Sequence, residues 1–101
     1  MIKAIRDYFS PEQRRIVGIE ARQLLENSHF RDAFDAVESS LIDVAKSCDP
    51  DNKEKAARVV ISMQLLEAVK REIIRKVEDG EMAVFEMNEL ERSKKLRVFQ
   101  R

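Results

Sequence analysis

The apolar positions of residues 28–48 repeat with the spacing of a helix that packs along one narrow face. They are separated by four, three, four, three and four residues, and the acidic side chains of the segment fall outside their arc. The pattern predicts a helix over 28–48, capped by either Asn27 or Ser28. One neighbouring helix can cover the apolar stripe, which comprises Phe30, Phe34, Val37, Leu41, Val44 and Cys48.

Polar residues mark the start of the helix that comes before this one. Ser10 followed by Pro11 and Gln13 is the pattern of a capping box, with proline tolerated at the first helical position. A helix is therefore predicted over 11–26, after an N-terminal arm of residues 1–10. The few residues between the first two helices either turn the chain back or bend one long helix, and the pattern leaves both open.

A proline and a glycine predict the limits of the third helix. Pro50 cannot sit inside a helix without the loss of a backbone hydrogen bond, so the chain is expected to break there. Gly80 follows a run of helical periodicity, and glycine commonly ends a helix, so this helix is predicted over 51–79. The C-terminal segment, residues 81–101, fits either a further helix with a basic end or an extended tail.

The third predicted helix carries apolar side chains on two sides. One stripe comprises Val59, Met63, Leu66, Ile73, Ile74 and Val77, and the opposite side of its first half carries Ile61, Leu65 and Ala68. The short connection after the second helix predicts an antiparallel hairpin, which covers the first stripe. The stripe of Ile61, Leu65 and Ala68 is expected to be covered by the first helix or by another copy of the chain, and it is the predicted protein interface.

Composition agrees with an all-α fold. Of 101 residues, 44% are hydrophobic and 38% are charged, with only two glycines and two prolines, which is typical of long helices. The length predicts a single helical domain over 1–101 with one core. We therefore expect an antiparallel helical hairpin or small bundle with a flanking N-terminal helix, which forms oligomers because its apolar surface exceeds what one chain covers.

The sequence shows no arrangement of residues that supports catalysis or cofactor binding. His29 with Asp32 lacks the third ligand that a stable metal site requires, and no base accompanies Cys48 to activate it. Nineteen basic residues balance nineteen acidic ones, so no overall field attracts nucleic acid or an anionic membrane. No apolar run has the length of a signal sequence or membrane span. We expect a cytosolic, non-enzymatic protein without metal, cofactor, small-molecule ligand or membrane attachment.

The C-terminal end concentrates basic residues locally. It comprises Arg92, Lys94, Lys95, Arg97 and Arg101, with the aromatic Phe99 among them. Basic side chains bind phosphates, and an interleaved aromatic ring can stack on a base. A basic helix end is also favoured by the helix dipole. We interpret the segment as a solvated tail or one that docks onto a partner, and the alternative is a small regulator that binds nucleic acid or a polymerase through it.

Residues 21–83 combine Leu-Leu-Glu-Asn, a small residue and Phe with an acidic helix, a polar turn and a Leu-rich helix that ends near glycine. The positions that carry this pattern are Leu24, Leu25, Glu26, Asn27, Phe30, Phe34, Leu65, Leu66, Val69 and Gly80. The pattern resembles that of a group of small tailed-bacteriophage proteins. Ser28 stands where their pattern often has proline, and the tryptophan common in their hairpin is absent.

The resemblance implies a phage origin and a short helical hairpin, and it assigns no catalytic residue. Together with the two-sided apolar helix, it leads us to expect a virion structural or assembly protein that associates with itself and docks onto a larger protein assembly. Its location would then be the host cytoplasm or the virion.

Overall fold

The chain is all-α over the residues that the structure describes. The computed structural model describes the backbone of residues 9–99 and the side chains of residues 9–97. Within that range the chain forms three helices and no strand: α1 is Pro11–Glu26, α2 is Ser28–Ser47 and α3 is Lys53–Phe99. The predicted all-α class is confirmed. Of the predicted arm over 1–10, only residues 9 and 10 fall within the described part.

The capping residues of α1 and α2 act as the sequence predicts. The backbone N–H of Ser10 donates to Oε1 of Gln13 at 2.9 Å, and the N–H of Gln13 donates to Oγ of Ser10 at 3.2 Å. This reciprocal pair is a capping box, and α1 has its predicted bounds. Between the two candidates for the cap of α2, Asn27 fills the role, because its Oδ1 accepts from the N–H of Phe30 at 3.0 Å.

Polar side chains also shape the connection from α2 to α3. Oδ1 of Asp49 accepts from the N–H of Asp51 at 3.0 Å, which closes the turn around Pro50. Oδ1 of Asn52 accepts from the N–H of Lys55 at 3.1 Å, so Asn52 caps α3. The helix therefore begins at residue 53, two residues later than predicted.

The predicted end of the third helix at 79 is wrong. α3 continues through Gly80 to Phe99, so most of the segment 81–101 is helical and not an extended tail. Glycine ends a helix chiefly when it adopts a positive φ, and neither glycine does so here. A glycine inside a helix costs about 1 kcal/mol relative to alanine, so its place in α3 requires a compensating contact. That contact is made with α1.

The contacts divide the chain into two compact units, although its length predicted one core. The central unit is Leu24–Ile73, which contains the last three residues of α1, the whole of α2 and the first part of α3. The terminal unit joins Met1–Gln23 with Ile74–Arg101, so it contains most of α1 and the last part of α3. Buried apolar side chains are scarce in the described chain, and they are Ala21, Val59 and Ala83.

The central unit is held by medium and large apolar side chains. The rings of Phe30 and Phe34 lie 5.6 Å apart between centroids with 42° between their planes, which is within the contact distance of aromatic pairs. Val59 is buried, and Leu41 and Leu66 are half-buried. Four of the six residues of the predicted stripe, Phe30, Phe34, Leu41 and Cys48, are half-buried, whereas Val37 and Val44 are 49% and 38% exposed, so the stripe is covered only in part.

Candidate interaction sites

Two glycines bring the backbones of α1 and α3 into direct contact in the terminal unit. A Cβ atom added to Gly18 would lie 2.8 Å from the Cα of Gly80 and 3.1 Å from the carbonyl oxygen of Lys76. A Cβ atom added to Gly80 would lie 2.8 Å from the Cα of Gly18 and 3.1 Å from the carbonyl oxygen of Arg14. No side chain fits in either place without moving a backbone, so both positions require glycine at this separation.

The two helices carry matching patterns where they meet. In α1, Arg14 precedes Gly18 by four residues and Ala21 follows by three; in α3, Lys76, Gly80 and Ala83 have the same spacing. Both alanines are buried, so each helix presents a strip of small residues to the other. These positions were missed by sequence reasoning, which interpreted Gly80 only as a helix end.

A repeat of seven residues in α3 is the signal that marks Gly80 as a packing position. It comprises Val59, Leu66, Ile73, Gly80 and Met87. All of these residues are buried or half-buried. A glycine at a position of this repeat lies on the packed face, where it contacts a neighbouring helix. A glycine that ends a helix can stand at any position relative to the repeat.

Arg14 makes the main polar contact of the terminal unit. Its side chain is 5% exposed and forms a fork with Asp79, with Nη2 to Oδ1 at 2.9 Å and Nε to Oδ2 at 3.1 Å. Nη1 also donates to Oε2 of Glu86 at 2.8 Å. The hydrogen bonds that Arg14 donates to Asp79 and then to Glu86 raise the pKa of its guanidinium above the ordinary value, although burial opposes this. The cluster fixes the rotation of α1 against α3.

Exposed ion pairs accompany this cluster. Arg22 pairs with Glu81 across the two helices, and Arg15 pairs with Glu12 within α1. The hydrogen bond from Arg15 lowers the pKa of Glu12 below its ordinary value. Ion pairs that are exposed to water contribute little to stability. The contact between α1 and α3 therefore depends on the two glycines and on Arg14, and the exposed pairs only add charge complementarity at its edge.

The predicted interface residues of α3 are exposed in the central unit. Ile61 is 54% exposed and Leu65 is 62% exposed, and Ala68 is also exposed. Val69, one residue further along, is 53% exposed. The first stripe of the same helix is better covered but not completely. Val59 is buried and Leu66, Ile73 and Val77 are half-buried, whereas Met63 and Ile74 are 36% and 38% exposed.

The basic residues of the predicted tail lie on the last turns of α3. Arg92 pairs loosely with Glu89, with 3.9 Å between Nη1 and Oε1. Lys94, Lys95 and Arg97 are exposed. Arg101 and the side chain of Phe99 lie outside the described part of the chain. Binding of nucleic acid or of a partner through this segment stays a prediction.

The described residues hold no group of three or more His, Cys, Asp or Glu side chains placed to share a metal ion. Within the same residues, no helix is both long and apolar enough to cross a membrane. His29 is exposed and Cys48 is a half-buried free thiol at the end of α2.

Comparisons with known proteins found no match for the chain among protein families, curated proteins or solved structures.

Proposed function

We propose that this protein is a non-enzymatic helical protein that associates with itself and docks onto a larger protein assembly. One observation carries the proposal: large apolar side chains lie mostly on the surface of the described chain, while only three small or medium apolar residues are buried. Exposed apolar patches on this scale are typical of surfaces that other protein covers.

The proposed arrangement is an antiparallel helical hairpin in which α2 covers the first part of α3. Two facts support it: the five residues 48–52 connect these helices, and both helices belong to one compact unit. The covered stripe then faces α2, and the stripe of Ile61, Leu65 and Ala68 is presented to a partner.

The larger assembly is proposed from the resemblance to tailed-phage proteins, which suggests a virion or an assembly intermediate. In lysates of producing cells, the chain should migrate with assembled particles on a density gradient. Migration with free soluble protein, or with replication complexes, would contradict this assignment.

The self-association is tested by light scattering coupled to size exclusion over a hundredfold range of protein concentration. We expect the molar mass to rise from 11.8 kDa towards an integer multiple as the concentration increases. A mass that stays at the monomer value up to millimolar concentration would overturn the proposal.

A further inference from the structure

We infer that two copies of the chain pair through α3 in antiparallel orientation, with a two-fold axis at Leu65. This inference rests on the proposed self-association and adds the surface, the direction and the register of the contact. Its basis is the order of exposed residues around Leu65. Residues at equal distances before and after Leu65 are opposite in charge or similar in character, so they match when two copies of the helix run in opposite directions.

Charged residues flank Leu65 symmetrically. Arg58 precedes it by seven residues and Glu72 follows it by seven. Seven residues turn a helix through about 700°, which is within about 20° of two complete turns, so all three lie on one face of α3. When two such helices run in opposite directions about Leu65, each Arg58 meets the Glu72 of the other copy. A parallel pair in register would place Arg58 against Arg58 and Glu72 against Glu72.

Apolar and small residues occupy the layers between these charges. Ile61 lies four residues before Leu65 and Val69 lies four residues after it, so each Ile61 faces the Val69 of the other copy. Ser62 and Ala68 are related in the same way and are both small. The Oγ of Ser62 donates to the carbonyl oxygen of Arg58 at 2.8 Å, so its hydroxyl already has a partner within the helix. The layers therefore alternate large and small side chains, as closely packed helices require.

The surface is available for this contact. Ile61, Leu65 and Val69 are each more than half exposed. Arg58 now pairs with Glu54 at 2.8 Å, but both side chains are more than 70% exposed, so this pair is weak. The five N–H donors of its guanidinium allow Arg58 to keep Glu54 and to bind Glu72 of the second copy as well. Glu72 already has a partner within its own chain, and a carboxylate with two oxygens accepts several hydrogen bonds, so it can bind Arg58 of the second copy in addition. From 58 to 72 the contact extends about 21 Å along the helix.

Charge reversal tests the register. In the full chain at low salt, Arg58→Glu alone and Glu72→Arg alone should each weaken the dimer roughly tenfold in dissociation constant, because each creates two like-charge contacts. The double variant Arg58→Glu/Glu72→Arg should return the dissociation constant to within about threefold of the original value. Sedimentation equilibrium measures these constants, and circular dichroism at low concentration checks that each monomer stays helical.

A matched pair of substitutions tests the face. Leu65→Glu places two like charges at the two-fold axis and should abolish the dimer. Val60→Glu changes another apolar residue of the same helix that is more than half exposed and points away from this face, and it should leave the dimer intact. If both variants weaken association equally, the face is wrong.

Cysteine pairing tests the direction in a Cys48→Ser background. A mixture of Arg58→Cys and Glu72→Cys chains should form a disulfide-linked dimer under mild oxidation, and either chain alone should not. Linkage of each chain with itself would contradict the antiparallel direction. If the chain forms a dimer and none of these substitutions alters it, this inference is overturned but the proposed self-association is not. If the chain is a monomer at all concentrations, both are overturned.

Discussion

The two units of the chain use different means to hold the same helix. In the central unit, Val59 and Leu66 lie on the packed face of α3, and the half-buried residues of α2 are the large apolar side chains Phe30, Phe34, Leu41 and Ile42. In the terminal unit, the same seven-residue repeat of α3 presents Gly80, and the partner position on α1 is Gly18. In the central unit, the volume of the side chains sets the distance between the helices. In the terminal unit, direct contact between the two backbones sets it.

The difference predicts how each unit responds to mutation. Apolar cores accept changes of shape when the volume is kept, because neighbouring side chains adjust. Two backbones in contact cannot adjust, and a buried arginine depends on its particular partners. The terminal unit should therefore be sensitive to changes of a single group, and the central unit should be tolerant.

Removal of the carboxylate of Asp79 should have the largest effect. Asp79→Ala takes away the forked partner of the buried Arg14 and should lower the free energy of unfolding by about 2–3 kcal/mol. Glu86→Ala should cost less, because that side chain is 44% exposed and accepts one hydrogen bond from Arg14. Hydrogen exchange of the amides of α1 measures both effects. Equal losses in the two variants would show that the fork has no special role.

A single methyl group at the glycine contact should have the next largest effect. Gly80→Ala gains about 1 kcal/mol of helix propensity but overpacks the contact with Gly18, so the terminal unit should be destabilised by about 1–2 kcal/mol. Asn88→Ala is the control, since it gains helix propensity at an exposed position of α3. If Gly80→Ala raises the thermal midpoint as much as the control does, the close approach does not stabilise the fold.

Loss of the capping box should affect the terminal unit alone. Ser10→Ala removes the acceptor for the N–H of Gln13 and should cost about 1 kcal/mol of helix stability. The effect should appear in hydrogen exchange at the start of α1 and leave the amides of α2 unchanged. Ser10→Asp should keep the protection, because aspartate also caps helices well.

A volume-conserving change in the central unit should have the smallest effect. Leu66→Met keeps the side-chain volume at a half-buried position and should cost less than about 1 kcal/mol. Chemical denaturation followed by circular dichroism is the measurement. A loss larger than that of Gly80→Ala would reverse the comparison between the two units.

Local signals in the sequence predicted much of this structure. Caps at Ser10 and Asn27 have local chemical causes, because each side chain bonds to a backbone group three residues away. The bounds of α1 follow from them, and the all-helical class follows from the apolar spacing. The exposed stripe of Ile61, Leu65 and Ala68 also follows from helical periodicity, since the angle around a helix depends only on residue number.

The end of α3 and the glycine contact could not be predicted in the same way. Whether a glycine ends a helix or packs inside it depends on what lies opposite, and Gly18 is 62 residues away in the chain. The burial of Arg14 likewise depends on Asp79 and Glu86, which come from the other end of the sequence. The only local signal that Gly80 packs inside the helix is the seven-residue repeat to which it belongs. That repeat can be recognised only when residues 53–99 are treated as one continuous helix.

The terminal unit is assembled from both ends of the chain, and this sets an order of folding during synthesis. The 50 residues of Leu24–Ile73 leave the ribosome before the partner of α1 exists. At about 5–20 residues per second, α1 waits for several seconds without that partner. The face of α1 that later contacts α3 holds Gly18, Ala21 and Arg14, so the delay leaves no large apolar side chain of these three positions in water. Ile16, Ile19 and Leu24 of the same helix are exposed before and after the contact forms, so the delay does not change the apolar surface that they offer to aggregation or chaperones.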